Sequence, residues 1–516
     1  MIYMLLLVLG CGAFELESSL SYENLDTSWF VVQVVDAETG RGVPMVALKT
    51  TNEIVFYTDS QGIAVIQEPG LMGTTVFFHI VSHGYQYPDA VFGNHGIVLE
   101  VQAGKLALIE IVRENIAERL YRITGQGIYR DSVLAGLPVP IVEPVLNGRV
   151  MGQDSVHAAV YRDKIYWIWG DTSRPDFPLG IFQVAGAASE LPHQGGLDPL
   201  LGINLQYFTD ATGFVRPMCP IVEDKSILVW LDAMFTVPDD AGEERLVAHH
   251  TKLRGLGEPI EHGIVLFDDN LEEFAVLKTF DIEEPWRFPQ GQAARMEEND
   301  KQYLLFTQPF PLVRVASTLS DITNPASYEA LTCLAPGGRM NGAETPILWD
   351  EEGQLRWTWR KETDPVGQAE EWELMELGLM QPEECRFQLR DIETGDSIQL
   401  HRASFHYNAY LNRWVMIGCE IYGRSFLGEV WFAEADSPAG PWQQARRIVT
   451  HDKYSFYNPT QHPFFDQEDG RFIYFEGTYT KMFSGREQGT PRYEYNQIMY
   501  RLDLRDPRLR IENELK

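Results

Sequence analysis

Between Val150 and Thr172 the chain reads VMGQDSVHAAVYRDKIYWIWGDT, an alternation of apolar and polar positions with period two that predicts a β-hairpin. His157 to Tyr161 forms the first strand, Arg162-Asp163-Lys164 the turn, and Ile165 to Trp169 the return. With Arg162 and Asp163 as the loop, facing positions add to a constant that sets Asp154 opposite Asp171. Directly opposed side chains lie about 4.5 to 5.5 Å apart at Cβ. Carboxyls that close split their pKa values, a common basis for acid/base chemistry.

The same layout returns downstream. Aligning a returning strand with the polar residue after it gives IYWIWG and Asp171, ILVWL and Asp232, YLLFT and Gln308, LRWTW and Arg360, VMIGC and Glu420, RFIYF and Glu476. The turns before them are short and charged or Gly-bearing, for example Glu223-Asp224-Lys225 and Gln467-Glu468-Asp469-Gly470. Intervals of 61, 76, 52, 60 and 56 residues suit one four-stranded blade plus loops, so residues 146–505 are expected to form a β-propeller. Six hairpins imply six blades, with five as the alternative.

Upstream, residues 28–115 carry short strands parted by Gly and Asp turns at roughly ten-residue spacing, the pattern of a β-sandwich. Residues 119–145, with Leu137-Pro-Val-Pro-Ile141 as their least regular part, read as a linker able to lend the propeller a closing strand. The fold class is therefore all-β. Met1 to Gly10 is an apolar run too short to span a bilayer, and Val8-Leu9-Gly10-Cys11 resembles a lipoprotein cleavage box with Cys11 as the lipidated residue. The expected location is exported, either lipid-anchored to the envelope or periplasmic, with membrane contact only through that anchor.

A net charge of −32 over 516 residues repels phosphate backbones and argues against a nucleic-acid partner. Cys219, Cys333, Cys385 and Cys419 have no metal-type spacing and read as buried thiols. No cofactor is implied, while a structural Ca²⁺ stays open. No phosphate loop, GxSxG elbow or HExxH helix occurs.

If the hairpins converge, their polar ends meet at one mouth. Candidates there are Asp154, His157, Arg216, Arg295, Asn341, Glu344, His406, Asn408, Asn458, Gln461 and His462, joined by the exit residues Asp171, Asp232, Gln308, Arg360, Glu420 and Glu476. The hairpin rule sets Glu344 opposite Arg360 and Gln461 opposite Glu476. Tyr479 and the stretch Tyr454 to His462 add aromatic rims suited to sugar faces, as do Trp357, Trp359 and Trp372, though Trp at alternate strand positions also suits a blade core.

Gly152-Gln-Asp154, Gly170-Asp171-Thr172, the acidic Glu344 and the stretch from Glu429 to Trp442 resemble the propeller glycoside hydrolases, the arabinanase and furanosidase types including the endo-D-arabinanase family. In the region preceding them, VVDAETGRGVP from Val34 to Pro44, then YTDSQG from Tyr57 to Gly62, then HGY from His83 to Tyr85 resemble a carboxypeptidase-regulatory-like or collagen-binding B-type sandwich. The first resemblance implies a poly- or oligosaccharide substrate, with Asp154 or Asp171 as base or nucleophile and Glu344 as acid. Glycoside hydrolysis needs one carboxyl protonated and another ionised; Glu344 paired with Arg360 would stay ionised, in conflict with an acid's role. Two other functions compete. A polysaccharide lyase would use His157, His406 or His462 as base, Tyr457 or Tyr479 as acid, and Arg216, Arg295 or Arg360 against a uronate. A surface lipoprotein would bind glycan or protein without turnover.

Overall fold

The computed structural model describes residues 25–510 apart from 89, 92, 182, 222, 223, 225 and 256. Cys11 with its leader lies outside the described residues, and so do Glu223 and Lys225 of the second predicted turn.

Two sheets pack face to face at the N-terminus. One orders Ile63–Ile66, Phe30–Asp36, Leu106–Arg113 and Tyr85–Gln86; the other orders Val55–Tyr57, Ala47–Thr50, Thr74–Val81, Asn94–Val101 and Ala90–Val91. Phe30–Asp36 is buried along its whole length because both of its faces are covered. Val32 and Val34 meet Leu48, Phe78 and Ile80 in the sandwich core, while Val31 packs with Ala135 and Leu137 beside the short helix Arg130–Leu134.

Among the described residues, five of the six further sheets stand as blades around an axis; the sixth is small and orders Gly152–Gln153, Thr172–Arg174 and Phe177–Ile181. Blade 1 holds His157–Tyr161, Lys164–Trp169, Ala185–Glu190 and Gln206–Tyr207, and blade 2 Ile227–Pro238, Glu244–Arg254, Glu258–Asp268 and Glu273–Phe280. Blade 3 holds Gln292–Glu298, Lys301–Thr307, Pro311–Ala316, Glu329–Thr332 and Thr358–Lys361; blade 4 holds Leu400–Asn408, Arg413–Glu420, Val430–Ala435 and Gln444–Val449, with Arg390–Asp391 outermost. Blade 5 takes Ser455–Gln461, Phe472–Thr480 and Asn496–Asp503, and its outer strand is Glu118–Arg122 from the N-terminal side. The ring closes there, which removes an exposed strand edge. From blade 1 through blade 5 each first strand lies next to the first strand of the next blade, so these strands line the channel.

Five blades replace the count of six. LRWTW is not an inner hairpin: Thr358–Lys361 pairs only with Glu329–Thr332 at the outside of blade 3, where Ala330 faces Arg360. An edge strand laid on a core alternates like an inner one, and Trp357 and Trp359 accordingly pack against the core that blades 3 and 4 share. ILVWL is likewise the first strand of blade 2 and not the second, which moves Asp232 to the channel wall.

Candidate active site

The opening hairpin keeps its predicted register. His157 faces Ile168, Tyr161 faces Lys164, and beyond the hairpin Gln153 faces Thr172 with the same constant. Asp154 and Asp171 thus stand together at the end of blade 1, where the Gly170 N–H donates to the Asp154 carbonyl at 2.8 Å. A Cβ at Gly170 would come within 2.4 Å of Asp154 Oδ1, so glycine is what lets the carboxylate fold over the strand end.

Both carboxyls line a cavity of about 350 Å³ at the channel mouth with Ser155, His157, Trp230, Asp232, Gly291, Gln292, Arg402, Asn458 and Thr460. Gln292 forms its floor: Nε2 donates to the Val156 carbonyl at 3.1 Å and to Thr460 Oγ1 at 3.0 Å, tying blade 3 to blades 1 and 5. Ser155 and Asn458 both have left-handed backbone, and Asn458 Nδ2 donates to Ser155 Oγ at 2.9 Å. Strain of this kind persists where neighbours enforce it, often at functional sites.

The three acids differ in charge state. Burial pushes Asp171 up to about 7, the nearby Asp154 carboxylate adds to the rise, and a hydrogen bond from Trp230 only partly offsets it. Burial also raises Asp154, against hydrogen bonds from Tyr457, Tyr495, Ser155 and the Asp171 N–H; the Tyr457 hydroxyl donates at 2.8 Å. Asp232 goes the other way. Burial would raise it, but His157, Arg402 and the Gly291 N–H outweigh that and hold its carboxylate below the usual range. His157 Nε2 stands 3.3 Å from Asp232 Oδ1, and the Gly291 N–H lies 3.1 Å from each carboxylate oxygen. Burial keeps His157 itself neutral, with Arg402 adding to the effect against the attraction of Asp232. Three buried atoms, His157 Nδ1, Asp171 Oδ1 and Asn458 Oδ1, have no partner within the described chain. Polar atoms so placed call for hydrogen bonds from a ligand or solvent.

Gly291 tests the Asp232 cradle. Its φ is +68°, and an added Cβ would lie 1.7 Å from the Thr307 carbonyl oxygen. Gly291→Ala is expected to cost about 2 kcal/mol, in the range of a forced backbone shift. A carboxylate with a lowered folded-state pKa gives stability that is present above the unfolded pKa and lost as pH falls through the folded one. The deficit, measured by urea denaturation, should therefore be larger at pH 7 than at pH 3.

Of the predicted residues, Asp154, Asp171, His157 and Asn458 meet at the mouth. Others do not. Glu344 is exposed on the loop between the fourth and fifth strands of blade 3, and the expected pairing with Arg360 fails because Arg360 lies on the outermost strand. Arg216 pairs with Glu273 at 3.4 Å on the outer edge of blade 2. Arg295 donates to Ser317 Oγ and to Thr236 and is turned to the wall between blades 2 and 3. His406, half-buried and pushed down to about 3 by desolvation with His462 adding to the effect, sits four residues deeper along its strand than Arg402. His462 and Glu476 form a buried pair at 2.7 Å, and Gln461 reaches Asp466 at 3.4 Å. In the observed register Gln461 faces Phe475 and Thr460 faces Glu476, because a bulge intervenes. Tyr479 stacks on Tyr454 in the core of blade 5. Asp232 joins Asp154, Asp171, His157 and Asn458 as one of the predicted polar hairpin ends, though from a first strand and not a second, while Trp230, Gln292 and Arg402 belong to the mouth and were absent from the predicted set. Among the described residues, no group of three or more His, Cys, Asp or Glu is set to hold a metal ion.

No family model matches this chain, and no curated protein is similar to it in sequence. Solved structures with a similar trace include an exo-1,5-α-L-arabinanase from a bovine ruminal metagenomic library, at 8% identity over 69% of this chain and 94% of that one, TM-score 0.34. An endo-arabinase from Bacteroides thetaiotaomicron shows 8% identity over 70% and 98%, TM-score 0.34. A GH43_1 enzyme from Xanthomonas citri shows 12% over 69% and 89%, TM-score 0.30. Likenesses this distant decide nothing about chemistry, which rests on the residues at the mouth.

Proposed function

We propose that the protein is a glycoside hydrolase acting on a polysaccharide at this mouth. One observation carries it: a single cavity presents Asp171, whose pKa is raised to about 7, together with Asp232, held ionised by the Arg402 guanidinium and the Gly291 N–H. Cleaving a glycosidic bond takes a carboxylic acid to protonate the leaving oxygen and a carboxylate to act as base or nucleophile at the sugar carbon. Asp171 fills the first role and Asp232 the second. Asp154, hydrogen-bonded by Tyr457, acts through Asp171 by raising its proton affinity. The resemblance's acid, Glu344, has no part in this scheme.

The test is digestion of plant, algal and bacterial-wall polysaccharides with reducing ends and ultraviolet absorbance read together. New reducing ends without absorbance, lost in Asp232→Asn by about a thousandfold, are the expected result. Arg402 beside neutral His157 is also what a lyase would set against a uronate; growth of ultraviolet absorbance would choose that chemistry. Binding with neither signal would leave a non-catalytic glycan receptor.

A further inference from the structure

Asp171 directly follows the second strand of blade 1, so the loops after the second strands of blades 4 and 5 open on the same face. Those loops carry Tyr422 and Phe426 in blade 4 and Phe483 in blade 5, which are 69%, 36% and 57% exposed. All three have left-handed backbone, with φ of 64°, 61° and 66°. A bulky residue is strained there, and a ring left in water does nothing to offset the strain by burial. Three such rings on one rim ask for a ligand.

Both loops meet at Tyr457, which stands beside Asp154 at the cavity. Ile421 and Leu427 pack against Tyr457, whose hydroxyl binds Asp154. The Phe483 ring is 5.9 Å from the Tyr457 ring, and those of Tyr422 and Phe426 are 5.3 Å apart. Arg424 pairs with Asp452 at 3.0 Å, and Arg486 donates to the Asp452 and Lys453 carbonyls, lacing the loops together.

We propose that Tyr422, Phe426 and Phe483 form a platform on which further sugar rings of a polysaccharide stack, so that the chain lies from the mouth across blades 5 and 4 and is cut internally. The C–H faces of sugars suit exposed aromatic rings, while hydroxyls at their edges meet the surrounding polar groups. Only the internal cut rests on the hydrolase reading; binding does not.

Affinity gel electrophoresis of the full chain carrying Asp171→Asn, run through linear arabinan, xylan, β-1,3-galactan and polygalacturonate, separates the two. At least one polymer should retard it. Tyr422→Gly and Phe483→Gly should each weaken retardation about 3- to 10-fold and hold or raise the melting midpoint, since glycine relieves the strain. The platform is overturned if none of these polymers retards the protein, if the variants are retarded equally, or if their melting midpoints fall along with affinity. Retardation that the variants lose, without cleavage by the parent, supports the platform and sinks the hydrolase. Cleavage with unaltered retardation of the variants overturns the platform alone.

Discussion

Asp171→Asn is expected to reduce hydrolysis about a thousandfold, the usual worth of a general acid, while making the protein more stable above pH 7. Asp171 holds its proton to about 7 in the folded chain and releases it near 3.9 when unfolded. The folded state therefore binds the extra proton between those values, so its stability falls as pH rises from about 4 to about 7 and stays reduced beyond. An amide has no such titration. Melting midpoints of parent and variant should converge near pH 4 and separate toward pH 8 in the variant's favour. Parent activity should fall above about pH 7 as the acid loses its proton, and Asp154→Asn should move that fall to lower pH by removing the neighbouring charge. Retained activity in Asp171→Asn, or a variant less stable at pH 8 than the parent, would remove the residue from the acid's role.

Period-two alternation and the Arg162-Asp163 turn were enough to bring Asp154 and Asp171 together, because a hairpin's register follows from its loop. Recurrence of such hairpins exposed the propeller, and the all-β reading of both halves holds. What failed was depth along the strands. Apolar alternation marks where a strand is buried, whereas channel-facing positions are polar. The first strands of blades 3 and 4 consequently start at Gln292 and Leu400, ahead of the residues chosen for the mouth, Arg295 and His406. Asp232 was visible as a polar residue after ILVWL, yet nothing in that string tells a first strand from a second; the strand runs on past Asp232 to Pro238, and its turn comes only at Asp239 to Glu243. Glu344 followed from treating an edge strand as an inner one.

Arg119→Met tests the join that holds the ring shut. Arg119 is buried in the closing strand, opposite Tyr500. It donates to the Pro44 carbonyl at 3.2 Å, the His83 carbonyl at 3.0 Å and Ser82 Oγ, with its guanidinium 5.2 Å from the Tyr85 ring. Methionine fills similar volume but leaves the buried Pro44 carbonyl unpaired, at about 1 to 3 kcal/mol, and takes the donor from the part-buried His83 carbonyl and Ser82 Oγ; a loss of about 3 kcal/mol is expected overall. The sandwich should not melt separately, because Met45 belongs to the core cluster of blades 4 and 5 and the Tyr493 hydroxyl donates to the Thr58 carbonyl at 2.7 Å. Urea denaturation followed by tryptophan fluorescence should accordingly show one transition at lower midpoint, with catalysis at 25 °C retained since the mouth lies on other strands. Two separated transitions would mean that the sandwich and the propeller are stable without one another, and that the closing strand is held by its blade alone.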